Sequence, residues 1–567
     1  MRKVLVIAAG LVVLSGCANI PSTSEVHLGQ TVAVDTTTQF IRVIARPPVD
    51  GMSPDAVLQS FLDACADSSN DFEIAREYLS SVTSADWNPS TGVQIYDASK
   101  MQITASGLDY QVNAPLDSVI SSSGHRSVPP KPSEISEHFQ VAKNENGQWR
   151  IDKLPNGLLL TRGDVERSFR SVPVYFLNPA GDRLVADTVL LPASTAGAAT
   201  TLVKNLLSGA SSELAGSVKS AFPIGTKLTY GSVPVNAGIA QVDLSSDVLA
   251  ASKSARQSMS AQLVWTLTSL PNVSSVRLTV SGQQLAVPGV PAIQSVSNWQ
   301  RFNPRTVSLE SSLHVVLASR VVSIANGKSE VKARIPSDVA TNLANASASQ
   351  DGSIIAGTLT DGKTVVSNLL TPDSLTPVLT GEALSEPSFD SQNNILVADF
   401  GRGITVISAD GSLHSVPVDA NSVGSATDVR SLYIAPDGVR VVLVFSNGAT
   451  DALAIGALTQ TQNSLRIDGV HRLEYRLTSV RDVGWQDPMT LQVLGSQLTG
   501  GQQIISLGIA DGKVTTSNAP VGAQSLAIDV QGGTVLGVVD ANKASIMRIV
   551  FGQWTNVEQG STPYFSP

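Results

Sequence analysis

Residues 351–369 read DGSIIAGTLTDGKTVVSNL, and four later stretches of the chain repeat the same arrangement of turns and short apolar strands. The later stretches are NNILVADFGRGITVIS (393–408), DGVRVVLVFSNGATDALAI (437–455), DPMTLQVLGSQLTGGQQIISL (487–507) and GGTVLGVVDANKASIMRI (532–549). The first residues of successive stretches are 42, 44, 50 and 45 positions apart. A repeat of about 40–50 residues built from turns and short strands is typical of the blades of a β-propeller.

The repeat also predicts how the blades assemble. A single four-stranded blade leaves both of its faces exposed, so blades stack side by side around a central channel. A further strand pair at residues 313–324, followed by an Asn326-Gly327 turn, supplies a sixth blade or shares one with the carboxyl-terminal strand. The sequence therefore predicts an all-β propeller of about six blades over residues 300–567. Seven blades, or a two-sheet sandwich in place of a propeller, are the alternatives.

The segment before the repeat, residues 171–290, mixes helix and strand patterns. Its longest apolar stripe places Met259, Leu263 and Leu267 on one face of a helix. Strands are predicted at 172–177, 184–191, 227–230, 239–244 and 275–280, and a shorter helix at 201–207, before Gly209. This segment is predicted to be an α+β domain.

An earlier α+β domain is predicted over residues 50–165. Ser53-Pro54-Asp55 offers an N-cap, a proline at the first helical position and an acidic residue in the first turn. Beyond Trp87 the pattern changes to short strands, and an Asn146-Gly147 turn precedes Trp149-Arg150-Ile151. Two or three helices ahead of a curled antiparallel sheet resemble the NTF2-like α+β cone, although a fold resemblance alone carries no function.

The amino-terminal residues have the pattern of a signal peptide. Arg2 and Lys3 precede an apolar run of 11 residues, Val4 to Leu14, whereas a helix that crosses a membrane needs about 20. Leu14-Ser15-Gly16-Cys17 resembles the bacterial lipobox, which implies removal of residues 1–16 and a diacylglyceryl group on the Cys17 sulfur. An ordinary signal peptide is the alternative. The polar residues 17–49 are predicted to be a lipidated tether.

Composition and charge disfavour several functional classes. The chain of 567 residues carries 38 Lys and Arg against 47 Asp and Glu, a net charge of −9. A negative surface disfavours nucleic acid, because nucleic-acid binding depends on Lys and Arg side chains that neutralise phosphates. With Cys17 lipidated, Cys65 is the one remaining cysteine of the sequence, so no disulfide framework is predicted.

The sequence contains no pattern that indicates catalysis or a metal site. Its six histidines are scattered without metal-ligand spacing. Ser329 and Lys332 match the S-x-x-K pattern of serine acyltransferases, but the motifs that accompany it there are missing. The Asp-Gly pairs of the repeat are interpreted as hairpin turns, and Asp243, Ser245 and Ser246 as a cap between a strand and a helix. We therefore predict no enzyme activity, no cofactor and no metal. The alternative is a hydrolase whose catalytic residues are dispersed along the sequence.

The order of the parts resembles one known family. VYFLNPAGDRL (174–184) and VRLTVSG (276–282) resemble the GerMN module of spore-germination and cell-envelope proteins, a binding or assembly domain without established catalytic residues. A lipobox, an NTF2-like segment, a GerMN-like module and a propeller resemble, in this order, the LpqB family of actinobacterial lipoproteins. The resemblance covers essentially all of the mature chain. It implies contact with the extracytoplasmic part of the Mtr sensor histidine kinase, and modulation of its signalling in envelope homeostasis and division.

The expected function is that of a regulatory binding protein held by its lipid on the outer, extracytoplasmic face of the cytoplasmic membrane. The alternative is an envelope receptor that binds a glycan or peptide at the propeller face. Propeller loops form broad surfaces, and Arg and Trp are enriched among the residues that dominate interface energies. The predicted partner-binding residues are Arg402, Arg430, Arg481 and Trp485. Solvated turns, and a core position for Trp485, are the alternative interpretation.

Overall fold

The structure is a computed structural model, and it describes residues 45–129, 132–193, 197–304, 312–325, 328–337, 342–420, 423–461, 464–473, 475, 477–497, 500–529, 533–540, 543–550 and 552–565. The predicted signal peptide, Cys17 and most of the predicted tether lie outside these ranges, as does the Asn326-Gly327 turn. Within these ranges, no helix is both long enough and apolar enough to span a membrane.

The N-terminal domain packs helices on a curled sheet, as the sequence predicts. Its first helices are α1 (Pro54–Ala64), α2 (Glu73–Glu77) and α3 (Ser81–Asp86). Its strands are β1 (Gly92–Tyr96), β2 (Gln102–Ser106), β3 (Asp109–Ser121), β4 (Arg126–Ser127), β5 (Ser133–Lys143), β6 (Trp149–Lys153) and β7 (Leu158–Thr161). The sheet order is β6-β5-β3-β1-β7, with β7 parallel to β1 and the other neighbours antiparallel.

Local sequence explains how this domain begins and turns. The Ser53 side chain caps α1 by accepting a hydrogen bond from the Ala56 amide, and Pro54 occupies the first turn. α1 then buries Phe61, whose ring contacts the Phe139 ring of β5 edge-on at 6.4 Å. Between β5 and β6, Gly147 adopts a φ of +76°, which confirms the predicted turn.

The second domain has its own core of helices and strands. It contains β8 (Phe169–Leu177), β9 (Leu184–Pro192), β10 (Val235–Asn236), β11 (Ile239–Leu244), β12 (Ser275–Val280), β13 (Gln283–Gln284) and β14 (Ile293–Gln294). Its helices are α5 (Ala198–Ser208) and α6 (Lys253–Leu267), and α4 (Arg162–Ser168) joins it to the N-terminal domain. β11 and β12 are parallel, and the chain between them crosses over through α6. Trp299 and Phe302 also belong to this core, so the chain leaves the second domain only after them.

One strand predicted for the second domain is wrong. Residues 227–230 form no strand, and only Leu228 makes an isolated bridge, to Leu244. Gly225 and Gly231 flank the segment with φ values of +91° and +67°, so the chain turns at both ends before a ladder can extend. Two backbone hydrogen bonds to β11 and its end, from the Thr229 amide to the Asp243 carbonyl oxygen at 2.9 Å and from the Ser245 amide to the Lys227 carbonyl oxygen at 2.8 Å, still hold the segment. The Thr229 hydroxyl also donates to Asp243 Oδ1 at 2.8 Å.

Within the described ranges, the remaining strands form six sheets of four strands each, which confirms the predicted propeller. The first sheet contains β15 (Leu313–Leu317), β16 (Arg320–Ala325), β17 (Lys328–Arg334) and β38 (Ser561–Phe565). Blades two and three are β18 (Ser347–Ala348), β19 (Ile355–Thr358), β20 (Thr364–Ser367), β21 (Thr376–Thr380), β22 (Ser388–Phe389), β23 (Ile395–Asp399), β24 (Gly403–Ile407) and β25 (Leu413–Val416). Blades four to six are β26 (Val429–Ile434), β27 (Arg440–Ser446), β28 (Asp451–Gln460), β29 (Leu465–Arg472), β30 (Ser479–Asp487), β31 (Thr490–Ser496), β32 (Gln502–Gly508), β33 (Val514–Asn518), β34 (Ala523–Ile528), β35 (Thr534–Asp540), β36 (Lys543–Val550) and β37 (Gln553–Gln559).

The carboxyl-terminal strand closes the ring of blades. β38 pairs with β15 and takes the innermost position of the first blade, so the start and the end of the propeller share one sheet. Tyr564 lies opposite His314 in this pairing, and the two rings stack with centroids 4.8 Å apart. The sequence predicted this sharing of one blade with the carboxyl-terminal strand as one of two ways to obtain six blades. Closure pairs the edges that an open sheet would expose.

Within a blade, small residues let the two inner strands approach closely. A Cβ on Gly357 of β19 would lie 2.4 Å from the Asn345 carbonyl oxygen, and one on Gly495 of β31 would lie 2.5 Å from the Ser479 carbonyl oxygen. Both distances are far below van der Waals contact, so these positions require glycine. The strands around them are almost wholly buried, as in Val441 to Val444 of β27.

The propeller has two faces, which we name by their loops. Successive strands of a blade are antiparallel, so the connections between its first and second strands, and its third and fourth, emerge on one face. We call this the domain face, because the Arg183 guanidinium of the second domain donates to Gln350 Oε1 at 2.8 Å and to the Pro436 carbonyl oxygen at 2.6 Å there. The other connections, including residues 361–363, 400–402 and 447–450, form the distal face. The predicted domain boundaries stay predictions.

Candidate functional site

Of the predicted partner-binding residues, two are exposed on the distal face. Arg402 follows the turn from β23 to β24, and its side chain is 61% exposed. Its guanidinium lies 3.5 Å from Glu382 Oε1, and Lys363 Nζ lies 2.9 Å from Glu382 Oε2. The hydrogen bond from Lys363, together with the charges of Lys363 and Arg402, lowers the pKa of Glu382. Arg481 is exposed near the distal end of β30.

Arg430 also starts at the distal face, but its guanidinium contacts neighbouring strands. It donates to the Val480 carbonyl oxygen of the fifth blade at 2.6 Å and to Asp451 Oδ2 of its own blade at 3.1 Å. Asp451 Oδ2 in turn accepts the Val480 amide at 2.7 Å. Arg430 therefore joins the fourth blade to the fifth, and its side chain keeps 38% exposure.

The structure does not bring Trp485 to the distal face. Trp485 lies six residues along β30 from Ser479, roughly 20 Å away at the rise of an extended strand. Its indole N–H donates to the Tyr433 carbonyl oxygen at 3.2 Å, and its ring packs against the apolar cluster between the fourth and fifth blades. Its contacts are those of a half-buried residue between two blades.

Apolar side chains are exposed on the same face as these arginines, and the sequence analysis missed them. Phe400, two residues before Arg402, is 37% exposed, and Val521, in the connection from β33 to β34, is 96% exposed. Val521 lies between Pro520 and Gly522, a turn pattern that places its side chain at a loop tip. The distal face therefore combines arginine with exposed apolar groups, a composition found at protein interfaces.

A second feature is a cleft where all three domains meet, with a volume of about 490 Å³. The N-terminal domain lines it with the turn from β3 to β4 and the start of α4. The second domain contributes Asp187 of β9 and residues 205–214, which end α5 and follow it. The propeller contributes the start of β27 and the loops around Met489 and residues 508–512, which lie on the domain face. It also contributes residues of β28 and β29, and Tyr475 in the connection that follows β29. We call this the three-domain cleft.

Contacts between the first two domains form one side of the cleft. The Asn205 amide of α5 donates to the Ser123 carbonyl oxygen at 2.7 Å. His125 Nε2 lies 3.3 Å from Asp187 Oδ2. Burial raises the pKa of Asp187, but the His125 contact, the Ser211 amide and the charge of Arg440 together outweigh it, so the net shift is downward. Asp187 is therefore held ionised between two domains.

The other side of the cleft joins the second domain to the propeller. Arg440 is 6% exposed, pairs with Asp437 at 2.9 Å and donates to the Ala186 carbonyl oxygen. Below it, Val185 and Leu214 of the second domain pack with Val439 and Ala457 of the propeller. This apolar contact and the buried arginine hold the domain face against the second domain.

Other residues considered in the sequence have structural surroundings. Lys332 Nζ lies 2.8 Å from Glu330 Oε2, and both residues belong to the outermost strand of the first blade, as does Ser329. Of the three residues predicted as a strand-to-helix cap, Ser245 is the N-cap residue of a short 3-10 helix, Ser246–Ala250. Asp243 instead accepts the Ser281 and Gly282 amides and so holds the turn after β12. Cys65 is buried in the N-terminal core, and burial raises its thiol pKa. Across the described ranges, no three His, Cys, Asp or Glu side chains converge as metal ligands would.

Family models match three consecutive parts of the chain. The model described as "Lipoprotein LpqB, N-terminal domain" matches residues 47–166, the one described as "Sporulation and spore germination" matches 173–286, and the one described as "Lipoprotein LpqB beta-propeller domain" matches 317–567. A Lipoprotein LpqB from Cutibacterium acnes is 28% identical over 98% of this chain and 97% of its own length. The chain belongs to the LpqB lipoprotein family.

Further relatives share the LpqB name over the full chain. A Lipoprotein LpqB from Streptomyces coelicolor is 27% identical over 100% of this chain and 97% of its own length. Among solved structures, the first GerMN domain of the sporulation protein GerM from Bacillus subtilis is 21% identical and covers 23% of this chain and 98% of that domain. Its TM-score is 0.20, too low to carry an argument about function.

Proposed function

We propose that this member of the LpqB family is anchored by a lipid on Cys17 to the outer face of the cytoplasmic membrane. There it acts as a non-catalytic regulatory protein that binds the extracytoplasmic domain of an Mtr-type sensor histidine kinase. In this proposal, binding modulates the kinase in envelope homeostasis and division. The lipobox-like sequence before Cys17 and the lipoprotein relatives support the anchor.

The observation that carries the proposal is the composition of the distal face. Arg402 and Arg481 are exposed there, and Phe400 and Val521 present apolar surface on the same face. Arginine and aromatic residues dominate the binding energy of many interfaces, with near-neutral polar residues around them. The second domain packs on the opposite face, so a partner of domain size can approach the distal loops without displacing it.

The lipid anchor adds to this recognition. Two or more acyl chains hold a protein durably at a bilayer, so the protein and a membrane kinase share one surface. Confinement of two partners to one surface raises their effective concentration, which lets a weak interface remain occupied. A distal face with only a few anchor residues therefore suffices for regulation.

A pull-down identifies the class of partner. Tagged full-length protein is captured from detergent-solubilised membranes, and the bound fraction is analysed by quantitative mass spectrometry. The proposal predicts enrichment of a sensor histidine kinase over a capture with an unrelated tagged lipoprotein. Enrichment of soluble wall fragments without any kinase would favour the alternative, an envelope receptor that binds a glycan or peptide at the propeller face.

A further inference from the structure

We propose that the three-domain cleft binds an anionic saccharide, a sugar of about two units that carries a carboxylate or phosphate group. The proposal assigns a small-molecule site between the domains, with a lining that includes neither Arg402 nor Arg481. It does not depend on the proposed kinase binding.

Size and position suit such a ligand. A volume of about 490 Å³ lies within the roughly 300–1,000 Å³ of most small-molecule sites. Those sites occur preferentially at domain interfaces, and this cleft has walls from three domains. A ligand there would contact all three domains and so stabilise their mutual arrangement, because it binds only the assembled form.

The charge of the lining favours an anion. Four arginines and two carboxylates line the cleft, although the chain as a whole has a net charge of −9. One of the arginines, Arg440, is buried and already paired with Asp437. Arg126 and Arg162 both pair with Asp117, so one carboxylate serves two guanidinium groups. The Arg162 side chain remains 53% exposed at the mouth of the cleft. Guanidinium groups bind carboxylates and phosphates through two parallel hydrogen bonds.

The polar atoms of the lining favour a hydroxyl-rich ligand. Serine hydroxyls contribute from two domains, Ser121 and Ser123 from the first and Ser208 from the second, and the Tyr475 ring adds an aromatic surface. The buried Thr188 Oγ1 lines the cleft and has no hydrogen-bond partner. Buried polar groups are nearly always satisfied in native proteins. Sugar hydroxyls both donate and accept, so one of them can satisfy the threonine hydroxyl.

Calorimetric titration of the full chain in detergent tests the proposal. The probes are the disaccharide of N-acetylglucosamine and N-acetylmuramic acid, which carries a carboxylate, N-acetylglucosamine 1-phosphate, and neutral di-N-acetylchitobiose. We expect at least one anionic probe to bind with a Kd below about 1 mM and at least about tenfold more tightly than the neutral disaccharide. The two anionic probes distinguish a carboxylate from a phosphate preference.

Two arginines of α4 form a matched pair of variants. Arg162 lines the cleft, whereas Arg167 is 49% exposed, pairs with Asp164 and lies outside the lining. We expect Arg162→Ala to weaken binding of the anionic probe about tenfold and Arg167→Ala to leave that binding unchanged. Both variants should have the same thermal unfolding transition. Equal binding of all probes, binding of none, or an equal effect of both variants would each overturn the proposal.

Discussion

His125 of the N-terminal domain and Asp187 of the second domain face each other across a domain boundary, with Nε2 and Oδ2 3.3 Å apart. Asp187 is only 4% exposed, and its Oδ2 also accepts the Ser211 amide at 2.6 Å. The two residues are 62 positions apart in the chain. This contact forms part of the three-domain cleft. Through it, the ionisation of the buried Asp187 carboxylate depends on how the N-terminal and second domains are arranged.

Asp187→Asn should therefore destabilise the protein in a pH-dependent way. Because the pKa of Asp187 is lowered in the folded state, its ionised form stabilises the fold above the ordinary pKa of about 3.9, and this contribution is lost as pH falls through the folded pKa. We expect the variant to lose about 1–3 kcal/mol at pH 7, and less toward pH 3. Denaturant unfolding across this range measures the difference, with Asp86→Asn, at an exposed position of α3, as control. A deficit that stays constant with pH would contradict the assignment.

Glu386→Gln should have the opposite effect and stabilise the protein at high pH. Burial, and then the charge of Asp482, raise the pKa of Glu386, so the folded state disfavours its charged form. Stability then falls as pH rises from the ordinary pKa of about 4.3 through the folded pKa. The neutral variant avoids this penalty, and we expect its Tm to exceed that of the wild type by about 1–3 °C at pH 8 and to match it near pH 4.5. Glu382→Gln, which removes the exposed partner of Lys363, should show no gain at pH 8. No gain for Glu386→Gln at pH 8 would contradict the prediction.

Gly357→Ala tests the close approach of the inner strands of a blade. The added Cβ would lie 2.4 Å from the Asn345 carbonyl oxygen. This oxygen belongs to the backbone, which cannot move aside without breaking hydrogen bonds between the inner strands of the blade. We expect a loss of about 3 kcal/mol in the free energy of unfolding, or failure to fold. Gly501 has open space around its Cβ position, so Gly501→Ala is the matched control and should be neutral. Equal stability of the two variants by thermal unfolding would show that the inner strands are not so closely packed.

Cys17→Ser should prevent lipidation. The other cysteine, Cys65, is buried, and burial raises its thiol pKa, so it offers no reactive sulfur in its place. We expect the variant to move from the membrane to the soluble fraction. Mass spectrometry of the amino-terminal peptide should show no diacylglyceryl mass, whereas Cys65→Ser should be lipidated like the wild type. A lipidated Cys17→Ser protein would refute the anchor.

The repeat was predictable from sequence because each blade is a local unit. Turn residues and short apolar strands recur at a near-constant spacing, and the pairing partners of most strands are their neighbours in the chain. The Gly147 turn and the helix that ends before Gly209 were predictable for the same reason. The parallel strand β7 was missed, because its four residues read LLLT, which has no alternation to mark it as a strand.

Features that depend on packing between distant segments were not predictable. The cleft joins His125, Asp187 and Arg440, which come from three domains and carry no shared motif. Trp485 looked like an interface residue, but its position along β30 places it against the cluster between two blades. Trp299 lies one residue before the predicted start of the propeller, but its ring belongs to the core of the second domain.

The most direct test of the proposed function is the affinity of the full-length protein for the purified extracytoplasmic domain of the sensor kinase. Biolayer interferometry would compare the wild type, the double variant Arg402→Glu with Arg481→Glu, and the control Arg277→Glu with Arg466→Glu. The control changes charge equally at exposed positions on the second domain and near the domain face. The account predicts that the distal-face variant weakens binding at least about tenfold and that the control binds like the wild type. Wild-type affinity for the distal-face variant would contradict it.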